Sequence, residues 1–284
     1  MDPPGDRSHL ERLLTTWSDS TNTTAGRLRH VVGVAVIANM FDGFPDDNGR
    51  TRIVFKGGAA IEMRYGLRAR TTKDLDAAFR GDLDEAVALV RQAALAGWSG
   101  FTGRVSDVEL IERAKVQPRP VRLKIKLAYR GKEFITIPFE MSAQEATSLQ
   151  NPEIFPVAIS LESVQLTGLA SVALLPLRYQ IAQKLHACTE QPSDDSPNDR
   201  VRDLPDLLLI KELGVEEHDL SKIRAACVEI FDARGAHSWP PQVREFPGWS
   251  VLWDNLANNE GLLMNLNEAV INVNSFVGRI NAAT

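Results

Sequence analysis

The sequence predicts an α/β (α+β) protein, with a mixed-sheet core and its leading helices over residues 1–150 and a mainly helical lobe over residues 151–284. Three observations carry that expectation. A β-branched run at 52–55 is cut off by Lys56-Gly57-Gly58 and gives way to a helical pattern at 59–65, which reads as strand, glycine turn, helix. Residues 121–129 alternate strictly, with Leu123, Ile125, Leu127 and Tyr129 on one face and Arg122, Lys124 and Lys126 on the other. After a stretch weakened by Asn151-Pro152 and Phe155-Pro156, helical spacing returns at 176–190, 203–213, 221–233 and 261–280.

The remaining elements fall between these. Apolar residues at three- and four-residue intervals predict helices at 9–18 and 25–41, which brace the sheet core. Asp74-Leu75-Asp76-Ala77-Ala78-Phe79 reads as a short strand, and 83–95 as a helix. A hairpin turn near Gly131 returns the chain through a strand that ends at Glu140, with Phe134, Thr136, Pro138 and Glu140 expected on one face and Pro138 at an edge or bulge. A polar loop at 191–199 and a Pro/Trp-rich stretch at 239–249 separate the later helices.

Bulk composition narrows the function. With 284 residues, 44% hydrophobic and 24% charged, the chain is a globular protein with room for two lobes. A net charge of -5 excludes a uniformly basic nucleic-acid binder and leaves room for a local basic patch. No stretch is long and apolar enough to span a bilayer, and the N-terminus lacks the order of a secretory signal, so the expectation is a cytoplasmic monomer with no membrane association. Cys188 and Cys227 are too far apart in sequence to suggest a zinc site and read as packing residues; the five histidines show no metal spacing.

The chemistry concentrates in a few places. Asp74 and Asp76 on a strand share a face; two carboxylates that close are unfavourable without a cation, and hard oxygen donors favour Mg²⁺ or Mn²⁺. A solvated strand end is the plainer alternative for such a pair. Gly57 and Gly58, between strand and helix, let backbone N–H groups approach a phosphate at the positive helix end, with Lys56 adding charge; an ordinary βα turn would look the same. Arg68-Ala69-Arg70-Thr71-Thr72-Lys73 adds cations and hydroxyls suited to a polyphosphate. Glu140 is the candidate third carboxylate, and a register that keeps Ile125, Ile137 and Phe139 on the core face puts Lys124 opposite or near it. Arg122, Lys124 and Lys126, with Lys115, Arg119, Arg130 and Lys132 nearby, fit either a nucleic-acid backbone or a solvated basic face. Lys184 adjoins the apolar stripe of its helix and cannot point straight away from the core, while Asp203 suits a helix N-terminus.

Four blocks in order, Phe55-Lys56-Gly57-Gly58-Ala59-Ala60, Arg70-x-Thr72-x-Asp74-Leu75-Asp76, Gln183-Lys184-Leu185-His186-Ala187 and Arg202-Asp203-Leu204-x-Asp206-Leu207, resemble the AbiEii family of nucleotidyltransferase toxins from bacterial toxin–antitoxin systems. The length and bipartite layout are similar to its MenT branch. The resemblance spans about residues 52–213 and implies a polymerase-β-like nucleotidyltransferase core followed by a helical lobe, with a cleft between them. It implies that Lys56, Gly57, Gly58, Arg70, Thr72 and Arg202 bind the nucleotide, that Asp74 and Asp76 hold Mg²⁺, and that Asp74, Asp76, Lys184 and Asp203 are catalytic. An NTP would be the donor, the 3′ acceptor end of tRNA the leading acceptor, and the outcome blocked aminoacylation and translation. The implied genetic partner is an AbiEi-like antitoxin. Rival readings are transfer to a protein or small molecule, or a silent nucleotide-binding module.

Overall fold

The computed structural model describes residues 2–42, 45, 49, 51–111, 119–193 and 197–283. The chain divides into two compact units, Met1–Gln144 with Leu149–Leu175, and Glu145–Ser148 with Pro176–Thr284. The first holds helices α1 (Arg7–Thr21), α2 (Ala25–Asp42), α3 (Gly57–Tyr65) and α4 (Leu83–Ala96). Its strands are β1 (Ile53–Lys56), β2 (Leu75–Phe79), β3 (Phe101–Val105), β4 (Glu109–Leu110), β5 (Val121–Tyr129), β6 (Lys132–Ala143), β7 (Glu153–Pro156) and β8 (Ser171–Leu174). They form one mixed sheet in the order β3, β5, β6, β2, β1, β8, β7, with β4 also on β5. β2 runs parallel to β6 and β1 to β8; the other pairings are antiparallel.

Residues 151–175 therefore do not belong with the helices, where the sequence reading puts them. β7 and β8 are four residues each, too short for a periodicity to show, and they complete the sheet beside β1.

α2 is apolar nearly all round, and from Val31 to Phe41 every residue is buried, which makes it the central helix under the sheet. Gly33 lets it approach β6: a Cβ there would lie 2.7 Å from Ile137 Cδ1 and 2.9 Å from Ile135 Cγ2. Phe41 packs on Phe55 and Phe139, so alternate residues of β1 and β6 face this helix and the intervening ones face away. α1 is tied to α2 by Arg29 Nε donating to Glu11 Oε1 at 3.2 Å.

Two strand details correct the sequence reading. Phe134 does not share a face with Thr136, Pro138 and Glu140, because a bulge where Leu127 pairs Ile135 and Ala128 pairs Glu133 turns it into the core against Phe101. Pro138 sits inside a paired strand without a lost bond. Its opposite number, Lys124, uses both backbone groups on Ser106, so the Lys124–Pro138 pair is of the kind that exchanges none.

The second unit is built from α5 (Leu177–Thr189), α6 (Asp203–Leu213), α7 (Leu220–Arg234), α8 (Trp249–Glu260) and α9 (Leu266–Ala282). The helix expected from residue 261 begins instead at Leu266, and α8 is a separate helix before it that the sequence reading did not expect. Gly261, at φ +68°, closes α8, and Asn265 with Glu268 opens α9 through a reciprocal capping box. Trp249 and Trp253, four apart, bury one face of α8, a spacing hidden by the Pro/Trp composition before it. Of the loop at 191–199, residues 194–196 lie outside the described residues.

Candidate active site

Strand register assembles a row of charge across the sheet face opposite α2. Lys56 on β1 pairs with Asp76 on β2, Asp76 with Glu140 on β6, Glu140 with Arg122 on β5, and Arg122 with Glu109 on β4. Five strands thus deliver five ionisable side chains to one line, and two carboxylates, those of Asp76 and Glu140, are immediate neighbours.

The glycine turn is explained by Asp76. Gly57 has φ +65°, and a Cβ there would stand 2.3 Å from Asp76 Oδ2. Conformation and space both require glycine, and the carboxylate rests against the N-terminus of α3, the positive end of the helix. A Cβ on Gly58 would come within 2.9 Å of Thr72 Oγ1 and 3.4 Å of Arg70 Nη2. Lys56, Gly57, Gly58, Arg70, Thr72 and Asp76, which the sequence singles out separately, are gathered at one turn.

Other residues hold the loop that carries Arg70 and Thr72. Arg27 of α2 donates to Leu67 O at 3.2 Å and to Ala69 O, and lies 3.8 Å from the buried carboxylate of Glu62 on α3. Thr72 Oγ1 donates to Asp74 O at 3.2 Å. Lys56 Nζ donates to Ser142 Oγ at 2.7 Å, across to the strand beyond Asp76.

Asp74 lies just before β2, and its field reaches two other groups. Burial lowers the pKa of His30 on α2, with Asp74 opposing; the hydrogen bond that Arg122 donates to Glu140 raises the pKa of Arg122, and Asp74 adds to that effect. Glu140 is in the register expected of a third carboxylate, but Arg122 is its partner: Arg122 Nε donates to Glu140 Oε1 at 2.7 Å and Nη2 bonds to the same oxygen. Lys124 falls one pair further along, opposite Pro138, because the register places Leu123 against Phe139. Among the described residues no three His, Cys, Asp or Glu side chains are grouped to hold an ion. Asp76 brings a hard carboxylate oxygen to the helix end, and Asp74, two residues before it, is the candidate for a second; such donors suit Mg²⁺ when phosphates and water supply the rest.

Lys124 and Lys126 are exposed beside Arg122, and Arg104 on β3 stands directly opposite Lys126. The sequence reading missed Arg104; the signal was the alternation of Phe101, Gly103 and Val105 with Thr102 and Arg104. Lys115 lies outside the described residues.

In the second unit Lys184, Asp203 and Asp206 form a buried cluster, with Lys184 Nζ donating to Asp203 Oδ1 at 2.6 Å and to Asp206 Oδ2 at 2.7 Å. The sequence reading did not single out Asp206 as a site residue, although its place three residues after Asp203 puts both on one helix face. Arg202, next to them, is exposed. Burial, with Asp203 adding, pushes the Cys188 thiol up, and burial does the same to Cys227; both are free and buried, which leaves them inert packing residues.

A mixed sheet that sets a strand, glycine turn and helix against an aspartate-bearing strand, with helices following, is the layout of a nucleotidyltransferase. Over residues 40–264 the sequence matches the family described as "Nucleotidyl transferase AbiEii toxin, Type IV TA system", and the chain belongs to that family. Its fold is similar to that of MenT4, a nucleotidyltransferase toxin of Mycobacterium tuberculosis, with a TM-score of 0.59 and 16% identity over 96% of this chain and 90% of that one. It also aligns with JHP933 of Helicobacter pylori, with a TM-score of 0.48 and 18% identity over 90% of this chain and 92% of that one. No curated protein matches the sequence significantly. No helix among the described residues is long and apolar enough to cross a membrane.

Proposed function

We propose that the protein transfers a nucleotide from an NTP to the 3′ acceptor end of tRNA, which blocks aminoacylation and translation, and that an AbiEi-like antitoxin is its genetic partner. The observation that carries the chemistry is the seating of Asp76 against Gly57, which joins the glycine turn and the carboxylate strand into one locus. The basic face of Lys124, Lys126 and Arg104 supports an RNA acceptor, since an acidic chain has set cations directly opposite one another on one sheet face.

In this reading Lys56, Arg70, Thr72 and the N–H groups at Gly57 and Gly58 hold the triphosphate, and Arg202 enters as a nucleotide-binding residue through the family blocks alone. Asp74 and Asp76 would hold Mg²⁺, with Glu140 a further ligand once released from Arg122; the ion supplies neutralisation of phosphate charge. The acceptor hydroxyl oxygen forms a bond to the α-phosphorus as the bond to the β-phosphate oxygen breaks, pyrophosphate leaves with that electron pair, and the hydroxyl proton passes to water. Lys184 and Asp203 enter through the family blocks alone.

Incubation with each labelled NTP, Mg²⁺ and total tRNA, followed by sizing of the product, tests this. The expected result is label on tRNA-sized RNA, lost by more than about a hundredfold in Asp76→Ala. Labelling of protein alone would refute the acceptor, and undiminished labelling by Asp76→Ala would refute the site.

A further inference from the structure

The Arg122–Glu140 pair is oddly placed for a stabilising ion pair. It is the outer half of a row whose inner half, Asp76 with Lys56, lies at the glycine turn. Both bonds from Arg122 end on Glu140 Oε1 and none of the described bonds uses Oε2, so the carboxylate next to Asp76 keeps one oxygen open. The Arg122 side chain is 49% exposed, and an exposed pair of this kind is worth at most about 1 kcal/mol, little enough to exchange. Arg122 is also the first cation of the exposed face that continues through Lys124 and Lys126 to Arg104.

We propose that Arg122 is a positioning residue that withholds Glu140 from the Asp76 metal locus until an RNA backbone phosphate takes its guanidinium. This rests on the nucleotidyltransferase reading above and adds a coupling between acceptor and metal. With Arg122 on Glu140, one of the two adjacent acids is already matched by a cation, and a divalent ion gains less by entering. A phosphate that binds Arg122 in the two-pronged manner guanidinium favours removes that match, and the paired acids become an attractive place for a cation. Reciprocity is then required: RNA tightens metal binding and metal tightens RNA binding by the same factor. A toxin so built holds its metal loosely until an acceptor is present.

Mn²⁺ affinity of the full-length protein, read by electron paramagnetic resonance with and without a short single-stranded RNA, tests the proposal independently of turnover. The expected result is that Arg122→Ala binds Mn²⁺ about tenfold more tightly than wild type without RNA, and that RNA tightens wild type by a similar factor but leaves Arg122→Ala unmoved. Arg122→Ala combined with Glu140→Gln should return to the affinity of Glu140→Gln alone, a cycle that a merely structural arginine would not close. Equal affinity of wild type and Arg122→Ala, or equal tightening of both by RNA, overturns the coupling. Asp76→Ala separates the two ideas: if it abolishes Mn²⁺ binding while Arg122→Ala changes nothing, the coupling fails and the site stands. If Asp76→Ala retains Mn²⁺, the site reading itself fails.

Discussion

Arg122 with Glu140 on the sheet and Lys184 with Asp203 and Asp206 in the helical unit are built from the same chemistry in opposite settings. The first pair is 49% and 25% exposed, joined through one carboxylate oxygen, and continuous with a face of further cations. In the second, the side chains are 8%, 6% and 2% exposed, and one ammonium bridges two carboxylates. Water can replace either partner of the sheet pair at small cost, whereas loss of Lys184 takes from two buried acids the ammonium that bridges them. Exposure separates a contact fit for exchange from one fit to hold a fold.

The sharpest way to break that comparison is Lys184→Ala. It should destabilise the protein by about 3–5 kcal/mol in urea unfolding, against less than about 1 kcal/mol for Arg122→Ala. Equal midpoints for the two variants would mean that the buried cluster is as exchangeable as the exposed one. This test also bears on Lys184 as a catalytic residue, because activity lost along with stability is no sign of a role in the reaction.

A second buried group in the helical unit extends the comparison to pH. His186 packs edge-on to Phe231, its Nδ1 lies 3.3 Å from Arg234 Nη1, and burial with that guanidinium holds it down at about 4. Since the folded value lies below the ordinary one of about 6.5, the unfolded chain takes up the proton first. The contribution is intact above about pH 6.5 and is lost as pH falls towards 4, on the order of 3 kcal/mol in all. His186→Phe should flatten unfolding free energy across that window; an unchanged acid slope would mean that His186 does not supply it.

Gly57 tests the sheet side at smaller cost. Gly57→Ala must hold alanine at φ +65° with a Cβ in the place of the Asp76 carboxylate. About 1–2 kcal/mol of stability should be lost. Nucleotide transfer should fall by far more than that, because Asp76 is displaced. Full activity with the strain present would dissociate the turn from the site.

The contrast between the units also explains what could be read from the sequence. β5 and β6 are legible because nine and twelve residues leave room for alternation to show, and the register that brings Glu140 beside Asp76 agrees with the apolar face. β7 and β8, at four residues each, show none, so their place beside β1 rests on partners far away in sequence. The glycine turn is visible as composition, but its cause, the approach of Asp76 and Thr72, is tertiary. Sequence alone puts Lys124 opposite or near Glu140 and leaves the choice open; the register makes it the near neighbour, one pair along the same face, and gives the opposite place to Arg122. The spacing of Asp206 from Asp203 puts the two on one helix face, but that one buried ammonium serves both is a property of packing.

The smallest effect is expected on the basic face, where the comparison is most finely poised. Lys126 and Arg104 stand opposite each other on neighbouring strands and both are exposed, so their repulsion costs the free protein a few tenths of a kcal/mol. Lys126→Gln should therefore raise the urea midpoint slightly. If the face carries an RNA backbone, the same change should weaken RNA binding and lower the slope of log affinity against log salt by about one. A gain in stability together with a loss of RNA affinity is the signature of charge kept for a ligand. A gain in stability with RNA binding and salt slope both unchanged would make these lysines an ordinary solvated face.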